Sequence, residues 1–244
     1  GRSSKKYEEF QRYCKNLPDN FHILDSSIKF ASDPSKRNDY SSKSLSYDME
    51  EGDTSAYDEL VGVLYSQENR LKFEWAIGSV LENKGADVQK FFVFYGSAGT
   101  GKSTVLNIVS RIFESYATVF DSKSLSSNKD FALEQFRTNP LVAIQHDGDL
   151  HRIEDNTKLN SLISHEKMMI NEKFKSQYAI QPKALLFMGT NSPIQITDAN
   201  SGMIRRLVDI MPTGTIIEPN HYVELVNQVE FEIPAIAEHC RKTF

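Results

Sequence analysis

Apolar residues recur at roughly helical spacing over residues 57–83, and this pattern predicts two helices that meet near residues 66–69. We interpret the pair as a helical hairpin with a structural role. Its apolar positions are Leu60, Val61, Val63, Leu64, Leu71, Phe73, Trp75, Ile77, Val80 and Leu81.

After Gly85 the pattern changes to short apolar runs separated by helical patterns. Each run is too short for a buried helix and is rich in residues that favour strands. Nearly continuous apolarity, without alternation, is typical of strands covered on both faces of a parallel sheet. The chain is therefore predicted to have an α/β fold, with a parallel sheet and flanking helices preceded by a small helical subdomain. The runs are FFVFY (91–95), ATVF (117–120), LVAIQ (141–145) and ALLFMG (184–189).

The predicted organisation has four parts. Residues 1–56 form an N-terminal segment and linker, because their second half is rich in serine and aspartate and poor in apolar residues. Residues 57–84 form the helical subdomain, 85–215 the α/β core, and 216–244 a C-terminal helical segment. The abrupt polar start of the chain suggests a piece cut from a longer protein.

Composition narrows the classes of protein to consider. A formal net charge of −5 and a pI near 5.7 argue against a protein that coats nucleic acid over its whole surface, so any such contact is expected to be local. No window approaches the roughly 18 apolar residues of a membrane span, and the start is no secretory signal, so we expect a cytoplasmic protein without a membrane partner. Cys14 and Cys240 lie at opposite ends of the chain, a spacing that predicts neither a zinc site nor a disulfide framework.

The nonapeptide GSAGTGKST (residues 96–104, the P-loop) lies between a predicted strand and a helical pattern. Glycines let the backbone approach phosphate oxygens closely, while the helix N-terminus adds partial positive charge. Lys102 is expected to reach the β and γ phosphates of ATP, and the Ser103 hydroxyl to bind Mg²⁺. A glycine-rich turn without a ligand is the alternative, which the flanking strand and helix disfavour. The predicted nucleotide-binding residues are Gly96, Ser97, Ala98, Gly99, Thr100, Gly101, Lys102, Ser103 and Thr104.

Two acidic residues follow the run LVAIQ, where a P-loop enzyme needs a carboxylate to hold magnesium and polarise water. Asp147 and Asp149 are two residues apart, so on an extended segment they face the same way. We predict Asp147 as the principal acid, binding the metal through water, with Asp149 in support. The adjacent His146 is interpreted as a neighbour of the site.

Polar residues also end the last apolar run, and a basic pair follows them. Asn191 could orient the water that attacks the γ-phosphate, although a Thr-Asn-Ser-Pro sequence is also a common turn. Arg205 and Arg206 lie between apolar residues. They could form ordinary surface ion pairs, or one could be an arginine finger for a neighbouring subunit's site.

The segment MMINEKFKSQYAI, residues 168–180, is predicted to form a hairpin with a basic tip. Residues 167–206 carry six basic and two acidic side chains, a local excess of four positive charges in an acidic chain. Lys173 and Lys175 are predicted to neutralise nucleic-acid phosphates, so binding should weaken steeply with salt. Phe174 would stack on a base or, as we favour, anchor the hairpin to the core.

These segments, taken in order along the chain, resemble the superfamily 3 helicases, most closely the helicase portion of phage, plasmid and large-DNA-virus primase-helicases. The resemblance covers roughly residues 57–212 and depends on the combination of motifs. It implies a P-loop NTPase with an AAA+-like core that assembles into a ring, usually a hexamer, around one DNA strand. Nucleotide would bind between subunits.

The resemblance also implies roles for individual residues. Lys102 and Ser103 would be the phosphate and magnesium residues, Asp147 the metal-associated acid, and Asn191 the sensor of the γ-phosphate. The Asp-Gly-Asp sequence replaces the adjacent acidic pair that is usual in the family, so the assignment of the catalytic base stays open.

The same resemblance places Lys173 and Lys175 in the central channel, and makes Arg205 or Arg206 the finger acting in trans. The implied function is ATP-dependent unwinding of fork DNA by movement on single-stranded DNA, for a viral or mobile-element protein in its host cell, with a linked or separate primase. No primase-like or origin-binding pattern precedes residue 57.

Three alternatives remain open. The first is an AAA+ loader or initiator that binds DNA and hydrolyses ATP without unwinding. The second is a small-molecule P-loop kinase. The third is a fragment that is inactive alone because its assembly elements are missing.

Overall fold

The central feature of the fold is a five-stranded parallel sheet. The computed structural model of the chain describes residues 5–10, 25, 27–34, 41–126, 132–148, 157–170, 178–192 and 202–244. Within these residues the strands of the sheet are β1 (Phe91–Tyr95), β2 (Ala117–Val119), β3 (Val142–Gln145), β6 (Leu185–Thr190) and β7 (Leu207–Ile210), and a separate antiparallel pair consists of β4 (Met168–Ile170) and β5 (Tyr178–Ile180). The strand order in the sheet is β2-β3-β6-β1-β7.

Helices cover both faces of this sheet. Residues 5–10 are also helical. The remaining α-helices of the described residues are α1 (Ser55–Leu64), α2 (Gln67–Leu81), α3 (Lys102–Phe113), α4 (Ser122–Ser126), α5 (Thr157–Ile163) and α6 (Pro219–Thr243).

In this parallel sheet all strands begin on one side, called the amino edge below, and end on the opposite side, called the carboxyl edge. Phe91 at the start of β1 pairs with Leu186 of β6 and with Leu207 of β7. Because all four ladders are parallel, the carboxyl ends of the strands meet at one edge and the amino ends at the other. The P-loop follows β1 at the carboxyl edge, whereas the arginine pair precedes β7 at the amino edge. The hairpin also leaves the sheet at the amino edge, because β5 leads into the start of β6.

The predicted α/β fold with a parallel sheet and flanking helices is confirmed. Each of the four apolar runs coincides with a strand of the sheet, although β6 extends one residue beyond its run. The helical pattern of residues 57–83 contains the break between α1 and α2. Strand β7 was not predicted. It is the outermost strand on its side of the sheet, so its four residues LVDI are only partly buried, and they follow two arginines.

The core consists of two apolar clusters, one on each face of the sheet. The first joins α1, α2, α3 and α6 to one face, and the second joins α5 and the β4–β5 hairpin to the other. Two apolar positions of the α2 pattern lie outside the core, since Leu71 is 45% and Trp75 38% exposed. Trp75 instead packs against Phe244, with ring centroids 5.3 Å apart.

A buried carboxylate ties three helices together. Glu74 of α2, only 1% exposed, accepts hydrogen bonds from the Arg70 Nε (2.6 Å) and from the Tyr57 hydroxyl (2.9 Å) of α1. His239 of α6 lies 3.2 Å from the same carboxylate. Burial opposes ionisation of Glu74, but the hydrogen bonds from His239 and Arg70 hold its pKa below the ordinary value. Glu74 therefore stays ionised, and its partners offset the free energy that an unpaired buried carboxylate would cost.

The N-terminal segment packs against the core through its described residues. Leu45 is 1% exposed and belongs to the first apolar cluster. The Lys29 backbone N–H donates to the Tyr116 hydroxyl (3.0 Å), and the Tyr47 hydroxyl donates to the Ile112 carbonyl (2.7 Å). The boundaries of the four proposed parts of the chain remain predictions.

None of the helices in the described ranges combines the length and the apolar character needed to cross a membrane.

Candidate nucleotide-binding site

The P-loop forms a turn whose backbone favours glycine. Gly99 has φ of +78° and Gly101, the residue before α3, has φ of +91°, both in the left-handed region. The Thr100 hydroxyl closes the turn by donating to the Ser97 carbonyl at 2.8 Å. The loop and the α3 N-terminus together form the arrangement in which backbone N–H groups bind phosphate oxygens.

Residues from the junction of α1 and α2, together with Pro212, pack against the P-loop. The Tyr65 hydroxyl donates to the Gly101 carbonyl at 3.2 Å. A Cβ atom at Gly101 would lie 2.7 Å from the Leu64 Cδ1, and one at Gly96 would lie 3.0 Å from the Pro212 Cγ. A side chain at Gly101 would therefore overlap Leu64, and one at Gly96 would make a tight contact with Pro212.

We expect Gly101→Ala to destabilise the protein more than Gly99→Ala. Both substitutions put a side chain in the left-handed region, at a cost of about 1–2 kcal/mol, but only the Gly101 variant also overlaps the buried Leu64. A Cβ at Gly99 meets nothing within 4 Å, which makes Gly99→Ala the matched control. Denaturant unfolding measures the difference, and equal losses in the two variants would contradict this account of the packing.

Lys102 connects the P-loop to the end of β6. Its Nζ donates to the Gly96 carbonyl (2.6 Å), the Ser97 carbonyl (2.6 Å) and the Asn191 Oδ1 (2.9 Å). Burial lowers the pKa of the Lys102 ammonium from its ordinary value, and the Asp147 carboxylate opposes this shift. An ammonium group has three protons, so every donor of this lysine has an acceptor.

The end of β3, where Asp147 follows, lies beside Lys102. Asp147 is exposed just beyond β3, and the Gly148 N–H donates to the Gly189 carbonyl of β6 at 2.7 Å. A Cβ atom at Gly148 would overlap the Met188 side chain, so close contact between the ends of two strands requires glycine there. This contact accounts for the glycine that follows Asp147. Asp149 lies outside the described residues.

One cavity of about 640 Å³ collects these groups. It contains most of the predicted nucleotide-binding residues, together with Asp147, Asn191 and His146. Its remaining wall comes from the α1 end, from the segment before α6 and from the first turn of α6. These residues, which the sequence reasoning did not identify as part of the site, are Leu64, Thr215, Ile216, Ile217, Pro219, Tyr222 and Val223.

The added wall is apolar and partly open. Ile216 is 81% and Val223 54% exposed, although both are aliphatic. The Tyr222 hydroxyl is hydrogen-bonded to the Thr104 hydroxyl of α3 at 2.8 Å, which fixes the tyrosine ring beside the first turn of that helix. An apolar shelf next to a phosphate-binding loop is suited to a nucleotide base. No motif in residues 213–219 indicates this, since glycine and proline there are typical of any loop.

The arginine pair lies away from this cavity. The Lys90 Nζ donates to the Arg205 carbonyl at 2.6 Å, which places the pair beside the start of β1. Five residues of β1 separate that point from the P-loop, or about 15 Å. Arg206 donates to the Ser164 hydroxyl and to the Gly202 carbonyl, whereas the exposed Arg205 side chain makes no hydrogen bond within the described residues.

The hairpin is described only along its two arms. β4 and β5 pair antiparallel, with Met168 opposite Ile180 and Ile170 opposite Tyr178. Lys173, Phe174 and Lys175 fall in residues 171–177, outside the described residues. Their positions and roles therefore stay predictions.

A model of a family of unknown function, DUF5906, matches residues 94–206. That stretch runs from the end of β1 to the arginine pair and so includes every motif of the candidate site. No curated protein matches the chain.

Solved structures of the NrS-1 C-terminal region share the fold. One apo structure superposes with a TM-score of 0.65 at 15% identity, and a second with 0.62 at 16% identity; each comparison covers 96% of this chain and 60% of the other. This chain thus spans about three fifths of the length of those NrS-1 chains. A JCV helicase with a bound compound matches at a TM-score of 0.49 and 12% identity over 75% of this chain and 51% of that one, too distant to support an argument.

Proposed function

We propose that the chain is an ATP-hydrolysing domain that moves along single-stranded DNA as a ring and unwinds duplex DNA. The observation that carries the proposal is the Lys102 Nζ, which joins the P-loop carbonyls to the Asn191 side chain in the cavity that Asp147 also lines. A phosphate-binding lysine, an acid and an amide in one cavity are the groups that NTP hydrolysis requires.

Each of these residues has a chemical task in the proposed reaction. The Lys102 ammonium binds the β and γ phosphates after leaving its carbonyl acceptors, and this frees Asn191 to orient the attacking water. Ser103 and Asp147 are the residues that would hold Mg²⁺, Asp147 through water. When bound there, Mg²⁺ would neutralise charge that develops on the phosphate oxygens. The left-handed glycines of the P-loop would fit a nucleotide's phosphates, because this backbone conformation lets successive N–H groups turn towards one anion.

The DNA-binding part of the proposal rests on charge. Six basic and two acidic residues lie between residues 167 and 206 of a chain whose net charge is −5. Lys173 and Lys175 are proposed to bind DNA phosphates in the channel of a homo-oligomeric ring. The proposed nucleic-acid partners are single-stranded DNA and fork DNA. Repetition around a ring multiplies a few lysines into a continuous basic surface.

Hydrolysis and strand-displacement assays test this function. We expect single-stranded DNA to raise the ATPase rate, and the protein to separate a forked duplex. Lys173→Ala/Lys175→Ala should abolish unwinding but keep basal hydrolysis, while the control Lys84→Ala/Lys242→Ala removes the same charge from surface sites elsewhere and should keep both activities. DNA-stimulated hydrolysis without strand separation would favour a loader or initiator, and hydrolysis indifferent to every polynucleotide would contradict the proposal.

A further inference from the structure

We infer that Arg206 fastens the turn that presents Arg205 to the base of the β4–β5 hairpin, so that the turn and the hairpin move as one unit. This inference rests on the proposed function, and it assigns different tasks to the two adjacent arginines. Arg205 contacts a neighbouring subunit's nucleotide, and Arg206 is a positioning residue that relays the effect of this contact to the hairpin.

The guanidinium of Arg206 spans two segments of the chain. Its Nε and Nη2 donate to the Ser164 hydroxyl at 3.1 and 2.7 Å, and its Nη1 donates to the Gly202 carbonyl at 2.9 Å. Ser164 lies between the end of α5 and the first hairpin strand, β4. A forked, planar cation with three such bonds holds both segments in a defined orientation, unlike a flexible ammonium.

Ser164 belongs to a closed hairpin base. The next residue, His165, is buried with φ of +54°, and its Nδ1 lies 3.0 Å from the Pro182 carbonyl beyond the second hairpin strand. The Gln181 Nε2 donates to the His165 carbonyl at 3.0 Å. These contacts join the chain entering the hairpin to the chain leaving it. A force applied to Ser164 therefore acts on both arms.

The other end of the link is an equally constrained turn. Met203 is fully buried in the apolar cluster that contains Met168 and Ile170 of the hairpin. Gly202 has φ of +70°, and a Cβ atom there would lie 2.7 Å from the Arg206 Nη1. The turn is thus shaped around the guanidinium and packs on the same apolar cluster as the hairpin.

Arg205 is the side chain that such a unit presents outward. It is exposed, makes no hydrogen bond within the described residues, and lies at the amino edge of the sheet, about 15 Å from its own P-loop. The P-loop it can serve is therefore that of another copy of the chain. Arg206, whose three bonds are internal, is not available for that contact.

Ser164→Ala tests the link, because it removes the acceptor of two Arg206 bonds and leaves every motif of the nucleotide site intact. In the ATPase assay with saturating single-stranded DNA, we expect basal hydrolysis to stay within about twofold of the unaltered chain and the DNA stimulation to fall about fivefold or more. Ser164→Thr keeps a hydroxyl and should keep the stimulation. Arg206→Lys should lose the stimulation to the same extent, and the double variant Ser164→Ala/Arg206→Lys should be no worse than either single variant.

Ser161→Ala is the matched control, because among the described residues the Ser161 hydroxyl bonds only to the nearby Glu166 carboxylate, at 2.7 Å. Full stimulation in Ser164→Ala would overturn the inference, and so would a parallel fall of basal and stimulated rates, which indicates a purely structural role. Failure of the proposed function looks different: the unaltered chain itself would then hydrolyse no ATP or ignore DNA, and the inference would fall with it.

Discussion

Replacing Lys102 with alanine is expected to lower the rate of ATP hydrolysis about 1,000-fold, the loss typical of a single group that stabilises transition-state charge. Within the described residues Lys102 is the one lysine or arginine that lines the cavity, and its Nζ contacts both the P-loop and Asn191. A steady-state phosphate-release assay measures the effect. Lys84→Ala, at an exposed site, is the control and should match the unaltered chain.

The fold should survive the Lys102 substitution. Gly96 is half-buried and Ser97 is exposed, so water can replace the ammonium at the two carbonyls that lose a donor, and the free energy of unfolding should change by about 1 kcal/mol or less. Hydrolysis that persists in Lys102→Ala would mean that the observed ATPase does not originate in this cavity.

Arg205→Ala is expected to reduce hydrolysis about 1,000-fold as well, although it lies about 15 Å from the P-loop of the same subunit. An arginine that completes a neighbour's site adds a second positive charge, beside that of Lys102, at the phosphate where negative charge develops. Arg111→Ala provides the control, because Arg111 is an exposed arginine paired with Glu230 outside the candidate site. It should retain full activity.

Mixing two inactive variants separates action in trans from action in cis. A subunit with Arg205→Ala has an intact P-loop, and a subunit with Lys102→Ala has an intact Arg205, so a mixed ring contains some complete sites. We expect equimolar mixtures to recover a measurable fraction of the activity. Mixtures as inactive as their components, under conditions where subunits exchange, would count against the trans assignment.

Local patterns were sufficient for the P-loop and for four of the five described strands of the sheet, but not for β7. The P-loop was recognisable because its glycines, lysine and serine must occur in one order between a strand and a helix. The strands β1, β3 and β6 were predictable since both of their faces are buried, which makes nearly every residue apolar. Asn191 and Asp147 could then be placed near the P-loop, because parallel strands bring their carboxyl ends to one edge.

Features that depend on distant contacts were not predictable. The apolar shelf of Ile216, Tyr222 and Val223 enters the cavity only because α6 packs on α1 and α2, far away in sequence. The glycine between the two acids looked like a departure from a motif, yet contact of Gly148 with Gly189 and Met188 accounts for it. Side-chain packing between remote segments leaves no local period for sequence analysis to detect.

The order of residues alone specifies the parallel α/β fold, the P-loop and the polar residues that end its neighbouring strands, because each follows from burial or backbone geometry within a few residues. It left Arg205 and Arg206 equivalent. Only the three-dimensional arrangement distinguishes them: the fold brings Ser164, 42 residues away, to the guanidinium of Arg206 and leaves Arg205 exposed. Adjacent residues of identical type can differ only through their partners, and distant partners are brought together by folding.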